Sequence, residues 1–86
     1  MAARRRGENR RFRVSVAGGF VIARSSSLPF VVAHARALAL RGYCAFIADQ
    51  LGRIVEVRRA PEAFSVTSTD NPDWLASCRV LLAEHG

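Results

Sequence analysis

The chain has 86 residues, half of them apolar, which is enough for one small folded domain and too apolar for a disordered protein. Its net charge of +6 comes from thirteen arginines, with no lysine, against seven acids, and this balance favours an acidic partner. No run of about 20 apolar residues is present, so we expect no membrane-spanning segment.

Residues 1–10 are rich in arginine, lack apolar periodicity and are expected to form a disordered arm. Within residues 1–13, Glu8 is the one acid beside six arginines, so this segment carries +5 of the total charge. The six are Arg4, Arg5, Arg6, Arg10, Arg11 and Arg13. Because guanidinium groups bind phosphates through paired hydrogen bonds, the arm is predicted to anchor to nucleic acid or another acidic surface.

A β-hairpin is predicted after the arm, because apolar and polar residues alternate up to a glycine pair, Gly18-Gly19. The inward-facing residues of the first strand would be Phe12, Val14 and Val16. A three-residue loop would pair Val14 with Ile22 and Val16 with Phe20, which places five large apolar side chains on one face. A two-residue loop would leave Phe20 and Ile22 in solvent, so we expect the longer loop.

The next predicted element is a helix from about Leu28 to Arg41, with serine caps before it and Gly42 as its C-terminal breaker. One side of this helix carries Phe30, Val31, His34 and Leu38. Val32 and Leu40 fall on the opposite side, near Arg36. A helix that is apolar on both sides requires a second element, or a partner, over its back.

Two strands are predicted next. Residues 43–49 are apolar on both faces, which is typical of a central strand, and this interpretation places Phe46 in the core. Residues 53–59 read as an outer strand with Val55 and Val57 inward. Residues 62–69 are ambiguous between a loop and a short edge strand.

A last helix is predicted from an N-cap at Asp70 or Asn71, with Pro72 in its first turn, to about Glu84. Its apolar stripe consists of Trp74, Leu75, Cys78, Leu81 and Leu82. The element order therefore predicts one α+β domain over residues 11–86. We expect a small ββαββ arrangement with a mostly antiparallel four-stranded sheet, one packed central helix and a C-terminal helix that covers exposed apolar surface.

No catalytic, metal or cofactor site is predicted. His34 lies on an apolar helix face, where a packed histidine is the usual finding, and no enzyme template fits the remaining residues. Cys44 and Cys78 are 34 residues apart, without the paired spacing of a metal site. Two buried free thiols in a reducing, cytoplasmic setting are the better interpretation.

Five arginines of the folded part are predicted to extend the basic arm as a stripe along one sheet edge or face. They are Arg13, Arg24, Arg53, Arg58 and Arg59. The alternative is an ordinary solvated face whose edge charges block aggregation. No base-reading motif is present, so nucleic-acid contact would run mainly through the phosphate backbone.

These patterns predict a small non-catalytic binding or regulatory protein that docks on nucleic acid or a nucleoprotein complex through the arm and the basic surface. The alternative is an inhibitor of the phage or mobile-element type, similar to an anti-CRISPR, that binds a protein partner or forms a homodimer. The contact residues would then be Val32, Arg36, Leu40 and Trp74.

Overall fold

The protein, seen in a computed structural model, is described over residues 11–85, and the predicted arm at residues 1–10 lies outside the described residues. Five strands and two helices follow one another in the order ββαβββα. They are β1 (Phe12–Val16), β2 (Val21–Ser25), α1 (Leu28–Leu40), β3 (Ala45–Ala48), β4 (Ile54–Arg59), β5 (Phe64–Thr67) and α2 (Leu75–His85).

The strands form one antiparallel sheet in the order β2-β1-β3-β4-β5. The α+β class and the central position of β3 are confirmed, but the predicted number of four strands was wrong. Residues 64–67 form β5 beside β4, because Phe64 and Val66 gain burial against the core. As a result β4 is an internal strand and not an outer one.

The first hairpin keeps the predicted loop but not the predicted register. The amide of Val16 donates to the carbonyl of Phe20 at 3.1 Å, and Gly18 and Gly19 supply the positive φ angles of 105° and 89° that the three-residue loop requires. Past the loop, however, Val14 lies opposite Ala23. The expected pairing of Val14 with Ile22 was therefore wrong.

A β-bulge at Ile22 accounts for the difference. Ser15 pairs with Val21 and Val14 with Ala23, so Ile22 is an extra residue without a partner on β1. The inserted residue shifts the alternation of β2, and Phe20 and Ile22 are 72% and 48% exposed. Because β2 has one neighbouring strand among residues 11–85, the core does not force these side chains inward.

Both helices pack on the same face of the sheet around a single core. Helix α1 begins after Ser27, whose hydroxyl accepts a hydrogen bond from the Phe30 amide at 3.3 Å, and ends before Gly42, as predicted. Helix α2 packs against α1 and β5, which covers Val32 on the predicted back of α1, whereas Leu40 stays 42% exposed. Val32 is consequently fully buried and belongs to the core.

The last helix begins later than predicted. Its first residue is Leu75, because Asp70 does not cap it and instead accepts a hydrogen bond from the Ile54 amide of β4 at 3.3 Å. Asn71, which lies between Asp70 and the start of the helix, adopts a positive φ of 46°. The stripe of apolar side chains is confirmed nonetheless, since Trp74, Leu75, Cys78 and Leu82 are buried and Leu81 packs against them.

A buried carboxylate, Asp49, joins the β3–β4 turn to the start of α2. One oxygen, Oδ1, accepts from the amides of Leu51 and Arg53 at 2.9 and 3.0 Å. The other, Oδ2, accepts from Trp74 Nε1 and Arg53 Nε, both at 2.8 Å. Trp74 in turn meets Phe12 of β1 edge-on, with ring centroids 5.2 Å apart. Asp49 thus fixes a turn, a helix start and a core aromatic pair together.

Replacing Asp49 by Asn is expected to lower the free energy of unfolding by about 3 kcal/mol. The amide group would present N–H donors to the donors of Trp74 and Arg53, leaving them unsatisfied. Urea denaturation measures the loss. Asp73→Asn is the matched control, since Asp73 contacts the same Arg53 at 3.5 Å but is 87% exposed, and should change stability by less than about 0.5 kcal/mol. Equal losses in the two variants would contradict the assignment.

The stabilisation by Asp49 is expected to disappear in acid. Burial raises the pKa of Asp49, but hydrogen bonds from Trp74, Arg53 and Leu51 outweigh it and hold that pKa below its ordinary value. A depressed native pKa gives stability that is fully present above the unfolded pKa of about 4 and is lost as the pH falls through the native pKa. The difference in unfolding free energy between the native chain and Asp49→Asn should therefore shrink below about pH 4. A constant difference would contradict this.

Candidate nucleic-acid interface

The sheet has one face packed under the helices and one face that no helix or strand of residues 11–85 covers. Directly opposed residues of antiparallel strands share a face, so the register assigns the members of the uncovered one. One row across this open face contains Val21, Ser15, Phe46, Glu56 and Thr67. A second row contains Arg24, Arg13, Ala48 and Ile54.

Phe46 lies at the centre of the open face, on the central strand. Its neighbours Ala45 and Ile47 are fully buried on the helix side, and Phe46 alternates with them to the other side, where it is half-buried. The predicted placement of Phe46 in the core was therefore wrong. A partly exposed aromatic ring on a flat sheet is a surface on which a nucleobase can stack.

Arg13 and Arg24 form a directly opposed pair of like charges on β1 and β2. Both are exposed, and within residues 11–85 neither makes an ion pair with a carboxylate. Like charges directly opposed in a cross-strand pair are unfavourable in the absence of a counter-charge. This end of the open face therefore favours an anion between the two guanidinium groups.

Arg58 reaches the other end of the open face, where a carboxylate and a thiol accompany it. The Cys44 thiol donates to Glu56 Oε2 at 2.8 Å, and the Arg58 guanidinium pairs with the same oxygen. Arg58 Nε also lies 3.4 Å from Cys44 Sγ. Because Glu56 offsets the charge of Arg58, the uncompensated positive charge of the open face lies at Arg13 and Arg24.

The same contacts keep the Cys44 thiol protonated. Its partial burial and its hydrogen bond to Glu56 raise the pKa of Cys44, against a smaller opposing effect of Arg58. The thiol hydrogen bond, together with Arg58, lowers the pKa of Glu56. At neutral pH the Cys44 thiol is therefore uncharged and lies beside the Glu56–Arg58 ion pair. An uncharged thiol is a poor nucleophile.

The other predicted basic residues lie elsewhere. Arg53 is held by Asp49 at the β3–β4 turn, and Arg11 stacks its guanidinium over the Phe12 ring at 5.4 Å. Arg59 follows Arg58 on β4 and so points to the helix side, opposite Phe64 of β5. Only part of the predicted basic stripe therefore lies on the open face. The alternation of side chains along β4, which can be read from the sequence, distinguishes Arg58 on the open face from Arg59 on the helix side. Arg4, Arg5, Arg6 and Arg10 lie outside the described residues.

The four predicted protein-contact residues do not share a surface. Val32 and Trp74 lie in the core. Arg36 is half-buried and Leu40 is 42% exposed, and these two line a cleft between the helices. Phe20, Val21 and Ile22, on β2 and its loop, are exposed apolar side chains at a different place, and the expected register had put Phe20 and Ile22 inward.

The thiols and acids do not gather into a metal site. In the part of the chain that the structure describes, no three histidine, cysteine or acidic side chains are placed to hold a metal ion. Both cysteines are free, and burial raises the pKa of Cys78 to about 12. No helix among residues 11–85 is long and apolar enough to cross a membrane.

No protein-family model, curated protein or solved structure is similar enough to this chain to count as a match. No activity, ligand or partner is therefore carried over from a relative. What the protein does is inferred from the placement of its own side chains, above all those of the open face.

Replacing Glu56 by Gln is expected to speed alkylation of Cys44 several-fold at pH 8. Without the carboxylate, Arg58 remains as the neighbour that lowers the pKa of Cys44, so more thiolate is present. Iodoacetamide labelling followed by mass spectrometry measures the rate, with the buried Cys78 unreactive in the folded chain. Glu62→Gln, which removes a charge away from Cys44, serves as the control. Equal rates in both variants would disprove the thiol–carboxylate contact.

Proposed function

We propose that this protein is a non-catalytic module that docks on nucleic acid by holding a single strand across its open sheet face. The observation that carries the proposal is the position of Phe46 at the centre of an uncovered sheet, next to the opposed cations Arg13 and Arg24. An aromatic platform with phosphate-binding cations beside it is the arrangement that single-stranded nucleic acids require.

The distances between Phe46 and the two arginines match the distance from a stacked base to its flanking phosphates. Neighbouring strands lie about 4.8 Å apart and each residue advances about 3.3 Å, so the backbone position of Arg13 is about 8 Å from that of Phe46. Arg24 lies one strand further. A base stacked on Phe46 would thus place its flanking phosphates within reach of the two long arginine side chains.

The charges of the open face favour one path for the bound nucleic-acid strand beyond Phe46. Glu56 lies directly opposite Phe46 on the β4 side, whereas Ser15 lies opposite it on the β1 side. A phosphate backbone is repelled by the first and can accept a hydrogen bond from the second. The bound strand therefore leaves Phe46 over β1 and β2, toward Arg13 and Arg24.

The arm would add attraction without sequence preference. In the sequence it comes directly before Arg11 and β1, the strand that carries Arg13. Each phosphate neutralised on a single strand contributes about −0.7 to the slope of log affinity against log salt. One aromatic platform and backbone contacts select for an unpaired strand rather than for a sequence.

Two free thiols suit a reducing compartment, and we place the proposed activity in the cytoplasm. The second candidate function is inhibition or regulation through a protein partner, as in phage or mobile-element inhibitors. It is favoured by the exposed apolar group Phe20, Val21 and Ile22. A partner on that edge would bury side chains that the core of this chain leaves in solvent.

Replacing Phe46 by Ala is expected to weaken binding to a fluorescein-labelled 12-nucleotide strand about tenfold, since one base–aromatic stack contributes roughly 1–3 kcal/mol. Fluorescence anisotropy at low salt measures the affinity. The matched control is Phe30→Ala, an exposed aromatic on α1, on the far side of the sheet. Equal affinities of the two variants, or no binding by the native chain to DNA or RNA strands, would overturn the proposal.

Replacing Arg13 or Arg24 by Gln is expected to weaken binding about tenfold and to reduce the salt slope by about 0.7. The same variants should fold at least as stably as the native chain, because each removes a like-charge contact. Anisotropy at several salt concentrations and urea denaturation provide the two readouts. Arg41→Gln, at the C-terminal cap of α1, is the control and should leave the slope unchanged.

A further inference from the structure

A second positively charged surface lies on the helix side of the molecule, away from the open face. It is a cleft of about 520 Å³ between α1, α2 and the connection from β4 to β5. Three arginines line it, each from a different element: Arg36 from α1, Arg59 from β4 and Arg79 from α2. Glu62 is the one acid among its lining residues.

Two of these arginines are oriented by contacts with the protein. The guanidinium of Arg36 lies over the Phe64 ring, with its central carbon 5.5 Å from the ring centroid. Arg79 donates one N–H to the carbonyl of Val66 at 3.3 Å, which leaves most of its five donors for other partners. Neither Arg59 nor Arg79 pairs with a carboxylate of residues 11–85.

The rest of the lining is apolar. Leu40 and Leu82 come from the two helices, and Pro61 and Phe64 from the strand connection and β5. Three cations and one acid give this cleft a net charge of +2, and its volume lies in the range of small-molecule sites, about 300–1,000 Å³. A fitting ligand therefore combines a compact dianion with a small apolar or aromatic body.

We propose that this cleft binds a phosphomonoester of nucleotide size. A phosphate dianion offers the oxygens that Arg59 and Arg79 can chelate in pairs, and the apolar lining receives the attached body. The phosphomonoester is either a free nucleoside monophosphate or the terminal phosphate of a nucleic-acid strand. The site is separate from the strand-binding face, because Phe46, Arg13 and Arg24 are not among its lining residues.

The test is isothermal titration calorimetry of the full chain with AMP at one fixed ionic strength. Adenosine, which lacks the phosphate, is the uncharged comparison. We expect saturable AMP binding with a Kd on the order of 100 µM and no binding of adenosine. Arg59→Gln and Arg79→Gln should each weaken AMP binding at least tenfold, and Arg41→Gln should leave it unchanged. Because Arg79 also bonds to Val66, Arg59→Gln keeps the test decisive if the Arg79 variant folds poorly.

Two further arms locate the site and identify the source of the phosphate. Amide chemical shifts should move at Ala60, Ala63 and Ala83 on AMP addition and stay constant at Ser15 and Phe46. Two results together would identify the end of a strand as the source of the phosphate. A 5′-phosphorylated strand would bind Arg59→Gln more weakly than it binds the native chain, and the same strand without the phosphate would bind both proteins equally. AMP binding that survives Arg59→Gln, or that Phe46→Ala abolishes, would overturn the proposal. Loss of strand binding in Phe46→Ala with AMP binding intact keeps the two sites distinct.

Discussion

The fold depends on one carboxylate withdrawn from solvent. Asp49 ends the central strand, and its two oxygens accept four hydrogen bonds, so burying its charge leaves no unsatisfied group on it. Because one of those donors is the indole of Trp74, the same carboxylate sets where α2 starts. Trp74 then packs against Phe12 of β1, on the far side of the sheet centre from β4. A single polar group thereby relates the sheet to the helix that packs beside α1.

That relation decides which surfaces are free. With α2 packed against α1 and β5, both helices occupy one side of the sheet, and there is no further element among residues 11–85 for the other side. Adjacent residues on a strand then take on different roles: Arg58 faces the open surface and Arg59 faces the cleft between the helices. Two surfaces with exposed arginines result, one on the open sheet face and one in the cleft between the helices.

Local signals made part of this structure predictable. Ser27 and Gly42 mark the ends of α1, and the apolar residues of β3 mark a central strand, because caps and burial act on neighbouring residues. The remaining features are set by contacts distant in sequence. A strand that is apolar on both faces does not reveal which face is covered, so the sequence did not show that Phe46 is partly exposed on the open face. In the sequence Asp49 looks like an ordinary turn residue. Its hydrogen bond from Trp74, 25 residues later, is seen only in the structure. The bulge at Ile22 has no sequence marker, since an edge strand tolerates either phase.

That bulge also affects how the molecule behaves among its own copies. Among residues 11–85, β2 has one neighbouring strand, and its other edge carries unpaired backbone groups next to apolar side chains, which is the usual starting point for sheet-to-sheet growth. Ile22 breaks the ladder, and the regular pairing beyond it covers only Ala23, Arg24 and Ser25, with a cation in the middle. An incoming extended segment would find neither a continuous run of hydrogen bonds nor a neutral surface. The irregularity thus protects the edge from fibrillar association while leaving its side chains accessible.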